Sequence, residues 1–155
     1  MCLIIDANLA SIVFGKNSNS NDFRPIIDWL TSPRRNGKLV VGGKLRDELF
    51  EIENAHRFII RLIQAGRARN ITKNVDEETE KVRNLPELKS DDPHIIALAK
   101  VSGARILCSH DKDLHEDFRN HRLISNPRGH IYQNATHKGL LSKYGHTSAC
   151  GQAKF

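Results

Sequence analysis

The feature that most constrains this chain is a set of short apolar runs, two of which lead directly into acids. Cys2 to Ile5 stops at Asp6, and residues 104 to 109 (ARILCS) are followed by Asp111. Residues 38 to 42 (KLVVG) make a third run. Such runs are too short for helices, and their unbroken hydrophobicity suits strands buried on both faces. Helical patterns lie between them. FRPIIDWLTS at 23 to 32 is stopped by the turn SPRRNG, and PHIIALAKVSG at 93 to 103 is opened by Asp91, Asp92 and Pro93 and closed by Gly103. Proline is favoured in a first helical turn and glycine just past a last one. The longest pattern runs from Lys44 to about Ala65, with Leu45, Leu49, Ile52, Ile59 and Ile63 at helical spacing and Gly66 as its stop. A strand near 69 to 72, a charged helix over 75 to 84, a short helix from about 113 to 118 and a last strand near 130 to 132 complete the reading. Strands alternating with helices predict an α/β fold, with a mostly parallel sheet covered on both faces.

At 155 residues the chain fits one domain. No apolar run approaches the roughly 18 residues of a membrane helix. The start MCLIIDAN lacks the basic region of a secretory signal and is expected to belong to the fold. Cys2, Cys108 and Cys150 are odd in number and form no C-x-x-C pair, which argues against a disulfide framework and a cysteine-ligated zinc site. A cytoplasmic location is the simplest expectation.

Charge is unevenly placed. Residues 1 to 117 hold 18 basic and 18 acidic side chains, so the net charge of +6 comes entirely from Arg119, Arg122, Arg128, Lys138, Lys143 and Lys154. This last quarter also carries His121, His130, His137 and His146, with Tyr132 and Tyr144. Two readings stay open: an electrostatic footprint for phosphates, centred on Arg119, Arg122, Arg128 and Lys138, or a solvated tail. The division expected is a folded domain over 1–133 and a basic, flexible tail over 134–155.

In an open parallel sheet, ligands bind at the carboxyl ends of the strands. Asp6 and Asp111 should both stand there, although a single acid after a strand is more often a turn or capping residue. Glu48 is more informative. At 100° per residue from Leu45, the core positions Leu49, Ile52, Ala55, Ile59 and Ile63 fall between about 280° and 40°, and Glu48 falls at about 300°. A carboxylate within an apolar stripe is costly unless it is paired or binds a cation. Asp47 and Glu51 fall outside the stripe. Of the adjacent pair at 91 and 92, one acid serves as a helix cap, Asp91 being the expected one, and the second calls for a nearby cation. Asp111 and Asp113 sit two residues apart in SHDKD, a spacing found in hard-cation sites. His94 and His115 are expected on helix surfaces, and His110 to point away from the acids.

These segments, LIIDAN at 3 to 8, RDELFE at 46 to 51, SDDPHIIALA at 90 to 99 and ILCSHDKDL at 106 to 114, together resemble the PIN-domain nucleases. In that family an Asp ends the first strand, a Glu lies on the helix after the second, an Asp opens an Ile-Ala-rich helix, and a Ser or Thr precedes a final Asp by two residues. The resemblance covers residue 3 to about 118 and maps these roles onto Asp6, Glu48, Asp92 and Asp111, with Asp113 as a fifth acid and Asn8 and Ser109 as polar support. It implies a three-layer α/β/α sandwich, dependence on Mg²⁺ or Mn²⁺ and endoribonuclease activity. It also implies an antitoxin protein as partner and a homodimer, as in toxin-type members. The segment past residue 133 has no counterpart in the pattern. On this reading Asp6, Glu48, Asp92 and Asp111 form the catalytic and metal-binding set, with Asp6, Asp92 and Asp111 holding one or two ions, Glu48 holding or orienting the attacking water, and Asp113 an optional ligand to a second ion. A phosphoacceptor domain of the response-regulator type is the first rival, but it needs neighbouring acids after the first strand, and Ala7 and Asn8 follow Asp6. The second is a catalytically inactive PIN-like module that only binds RNA or protein.

Overall fold

The computed structural model describes residues 2–15, 21–125 and 127–143. In chain order its elements are β1 (Cys2–Ile5), α1 (Ala7–Val13), α2 (Arg24–Thr31), β2 (Lys38–Gly42), α3 (Gly43–Phe50), α4 (Glu53–Gln64) and β3 (Ala68–Ile71). There follow α5 (Val75–Arg83), α6 (Pro93–Ser102), β4 (Ile106–Cys108), α7 (Lys112–Arg119), β5 (His130–Tyr132), a 3-10 turn (Ala135–His137) and α8 (Gly139–Lys143). All five strands are parallel, in the order β3-β2-β1-β4-β5, and the helices flank them in an α/β/α sandwich. No helix among the described residues is long and apolar enough to cross a membrane.

The apolar runs become the centre of the sheet because both of their faces are covered. Every residue of β1 and β4 is buried, and Leu3 sits between Leu39 of β2 and Ile106 of β4 in register. From β1 the chain moves outward to β2 and β3, then returns across the sheet to β4 and β5. The winding therefore reverses between β1 and β4. At such a switch point the loops leaving the carboxyl ends diverge and open a crevice.

Four expectations are corrected here. The pattern from Lys44 to Ala65 is two helices, broken where Ile52 takes an extended backbone (φ −91°, ψ 109°). Neither Gly nor Pro announces the break. The two halves pack against different strands, α3 on β2 and α4 on β3. The break also resets the helical phase, so Leu62 is buried while Ile63 is 37% exposed. Helix α1 is additional: Leu9, Ala10 and Val13 form its buried side, and Asp6 caps it. Packing also continues past Gln133. Leu141 is buried in the core, the Tyr132 hydroxyl donates to the Asp22 carbonyl at 2.6 Å, and the Ala135 amide donates to the Asp22 carboxylate at 3.4 Å. Residues 144–155, the remainder of the expected tail, lie outside the described residues. Finally, Cys108 is a free buried thiol but Cys2 is disulfide-bonded, which corrects the expectation of a chain without disulfides.

Candidate active site at the carboxyl edge of the sheet

Asp6 follows β1 at the switch point and is 5% exposed. Its amide donates to the Cys108 carbonyl of β4 at 2.9 Å, which ties the two strand ends together. Its carboxylate accepts from the Ser109 hydroxyl at 2.9 Å and from the Asn8 amide at 3.4 Å. Ser109 also accepts from the Asp111 amide at 3.1 Å, so one buried hydroxyl joins the loops that carry both acids. The supporting role expected of Ser109 thus has a definite geometry, whereas Asn8 contributes its backbone and is itself exposed.

Asp111 is the N-cap of α7, accepting from the amides of Asp113 and Leu114. Asp113 is exposed, and its charge acts on Lys89. Asp92 stands at the N-cap position of α6 but its side chain makes no capping bond. Asp91 is not the cap either; it is exposed, which corrects its expected role. Asp92 is therefore a half-buried carboxylate at a helix start with its oxygens uncommitted to the backbone.

Glu48 lies on α3 beside buried Leu49, as its helical phase requires, with 39% of its side chain exposed. Its Oε1 is 2.9 Å from His94 Nε2 of α6, yet no donor is aligned with that buried oxygen. Burial holds the His94 imidazole down to about 4, with Lys44 acting in the same sense. At neutral pH the ring is therefore uncharged and the contact is not an ion pair. His94 and His115 are 3% and 6% exposed, contrary to the surface positions expected, and His115 Nε2 lies 2.6 Å from the Ser109 carbonyl. His110 is exposed and lies beside Gln133 and Phe23; β4 ends at Cys108, so the strand alternation expected to turn it from the acids does not reach it.

Electrostatics link the four acids. Burial, followed by the charges of Asp6, Asp111 and Glu48, pushes the Asp92 carboxyl up to about 6. Asp6 is raised chiefly by burial and further by Asp111 and Glu48, against the lowering effect of the Ser109 and Asn8 hydrogen bonds. Glu48 is raised by burial and by Glu51. Lys44, at the start of α3, is the cation that counters both Glu48 and Asp92, and sequence reasoning missed it. Its position in the first turn of the helix that carries Glu48 was the available signal. Like charges raise one another's pKa in this way when no cation lies between them.

Comparison with family models, curated proteins and solved structures finds no match for this chain. The site is argued from its own groups. Its donors are carboxylate oxygens, which suit hard divalent ions such as Mg²⁺ and Mn²⁺. The raised Asp6 and Asp92 carboxyls and a solvent-shielded, unaligned Glu48 oxygen fit a missing positive charge. However, among the described residues no three His, Cys, Asp or Glu side chains are gathered closely enough to hold an ion as they stand. Holding one with three of these carboxylates would require them to come closer together.

The expected phosphate-binding arginines are elsewhere. Helix α7 carries the chain from Asp111, at the carboxyl end of β4, to Arg119 near the start of β5, where the His130 amide meets the Arg105 carbonyl. Arg119, Arg122 and Arg128 are exposed at this opposite edge. Lys138, also exposed, lines a recess beside Trp29 and Arg35.

Proposed function

We propose that the protein is a metal-dependent endoribonuclease, with Asp6, Glu48, Asp92 and Asp111 as its acidic centre. The observation that carries this reading is that half-buried Asp92 and buried Asp6 both feel the charges of Asp111 and Glu48 at the switch point of a doubly wound parallel sheet. Asp6, Asp92 and Asp111 would hold Mg²⁺ or Mn²⁺, and Glu48 would orient the attacking water. When bound, such ions would supply the charge neutralisation that in-line displacement at a phosphodiester needs. Asp113, whose charge acts on Lys89, is the least suited of the five acids to join them. The protein's own part is to hold Asp6 buried, through Ser109, beside the opening where a phosphate enters. On this reading the substrate is RNA, the setting is the cytoplasm, and an antitoxin protein and a second copy of the chain are the partners to seek.

Labelled RNA and DNA incubated with Mn²⁺ or with EDTA provide the test. Cleavage should require the metal and favour RNA. The Asp6→Asn variant should lose about a hundredfold or more in rate, the scale on which one electrostatic contact to a transition state counts, with an unchanged circular dichroism spectrum. Metal-dependent cutting retained by that variant would sink the site assignment. The separation of the carboxylates favours a second reading, a module that binds RNA or protein without cutting. Binding in both Mn²⁺ and EDTA without any cleavage would decide for it.

A further inference from the structure

We propose that the amino-terminal edge of the sheet is a docking surface for the phosphate backbone of single-stranded RNA, separate from the acidic centre. The choice of RNA rests on the function proposed above; the surface itself rests on three observations.

The first is composition. The segments leading into β2, β3, β4 and β5 are SPRRNG at 32–37, AGR at 65–67, GAR at 103–105 and RNHRLISNPRG at 119–129. Together they contain seven arginines and no Asp or Glu. Of the nearby acids, Glu116 is paired with Lys89 at 2.6 Å, and buried Asp117 accepts from the amides of Lys89 and Ser90.

The second is construction. Two of these arginines are structural, and each fixes a segment that exposes others. Arg67 donates to the carbonyls of Trp29, Ser32 and Gly37 at 2.7–2.9 Å, gripping the turn that presents Arg34 and Arg35. Arg105, 8% exposed, donates to the carbonyls of Ala99, Ala104, Ser125 and Pro127 at 2.7–3.1 Å, gripping the loop that presents Arg122 and Arg128. Neither guanidinium forms an ion pair among the described residues. Close packing adds to the fixation, since a Cβ on Gly37 would lie 2.3 Å from the Trp29 ring and one on Gly129 would lie 2.1 Å from the Phe118 carbonyl. Both arginine-bearing segments are therefore held in place before any ligand arrives.

The third is spacing. Arg119, His121 and Arg128 line a recess of about 440 Å³ that has no acid in its wall. On the β2 side, Arg35 and Lys138 line another of about 630 Å³, with Asp28 as its acid. The two recesses share no lining residue. One small anion cannot serve both, whereas a chain of phosphates can. Arginine rather than lysine suits phosphate oxygens because its planar fork donates two parallel hydrogen bonds.

Binding of a short fluorescein-labelled single-stranded RNA, followed by anisotropy in EDTA over a range of salt, tests the surface without any cleavage. The triple variant R119Q/R122Q/R128Q should bind more weakly and lower the slope of log affinity against log salt by about 2, near 0.7 per lost contact. The variant R34Q/R35Q should lower it by about 1.4 on the same scale. Each replaces exposed side chains only, and thermal melts confirm that each remains folded. Unchanged slopes in both variants would overturn the proposal, as would polyglutamate displacing the RNA equally well at matched charge. If the wild type cuts no RNA with Mn²⁺ but these slopes fall, the docking surface stands and the nuclease reading fails; the reverse result separates them the other way.

Discussion

The two edges of this sheet solve opposite electrostatic problems. At the carboxyl edge, burial and the charges of neighbouring acids raise Asp6 and Asp92, and burial and Glu51 raise Glu48, with Lys44 as the cation acting on Glu48 and Asp92. At the amino edge, Arg67 and Arg105 keep their charge beneath the surface by donating to seven backbone carbonyls instead of to acids. One edge holds charge at a cost to the fold. The other uses charge to build the fold. The lesson is that a buried ionic group can be a sign of function or of scaffolding, and its hydrogen-bond partners tell which. Carbonyl-satisfied arginines are structural, whereas an uncapped Asp92 near three other acids has no structural use that the fold reveals.

Removing a charge should therefore have opposite signs at the two edges. The largest effect is expected for Arg105→Ala, which removes the donor to four carbonyls, of which only that of Ala99 keeps another partner among the described residues, the Gly103 amide, and should destabilise the protein by about 3 kcal/mol, read as a lower midpoint in urea unfolding. It should also loosen the loop bearing Arg122 and Arg128 and weaken RNA binding. A loss of under about 0.5 kcal/mol, the range of ordinary surface changes, would show that this clamp is decoration.

Asp92→Asn should act the other way. The folded-state value of about 6 exceeds the unfolded 3.8, so the folded protein holds this proton more tightly. Its contribution to stability is fully present below pH 3.8 and is lost as pH rises through about 6. At neutral pH, in EDTA, the ionised form costs on the order of 2 kcal/mol, and the variant should be more stable than the wild type by that amount. Below pH 4 the two should converge. Equal stability at pH 7, or a less stable variant, would break the contrast between the edges.

The smallest effect is expected for Ser109→Ala. The change removes the hydrogen bond that offsets part of the burial effect on Asp6. It should cost about 1 kcal/mol and move the Asp6 titration, followed by carboxyl carbon NMR, further upward. A downward movement would show that Ser109 does not stabilise the ionised form.

Much of the fold was legible because burial leaves a periodic trace along each element. The runs CLII, KLVVG and ILC became the buried strands β1, β2 and β4, and Gly66 and Gly103 stop helices at positive φ values of 72° and 81°. Asp6 and Asp111 at strand ends could be read in the same way, whereas of the positions that defined the stripe around Glu48 only Leu45 and Leu49 share its helix. The 51–52 break could not be read, because neither glycine nor proline stands there to mark it. Nor could the burial of His94 and His115, since each is polar and lies on a helix whose neighbours are set by tertiary packing.

The sequence by itself determined which segments must be inside and where acids and glycines interrupt them, because hydrophobic spacing and backbone conformation are properties of neighbouring residues. Only the tertiary structure decided that Ser109 meets Asp6 across 103 residues of chain, that Asp92 rather than Asp91 occupies the cap position without capping, and that the arginines after residue 118 stand opposite the acids. Those outcomes follow from the winding of the sheet, which sends every strand the same way and so sorts the loops into two edges. A linear charge count cannot see that sorting.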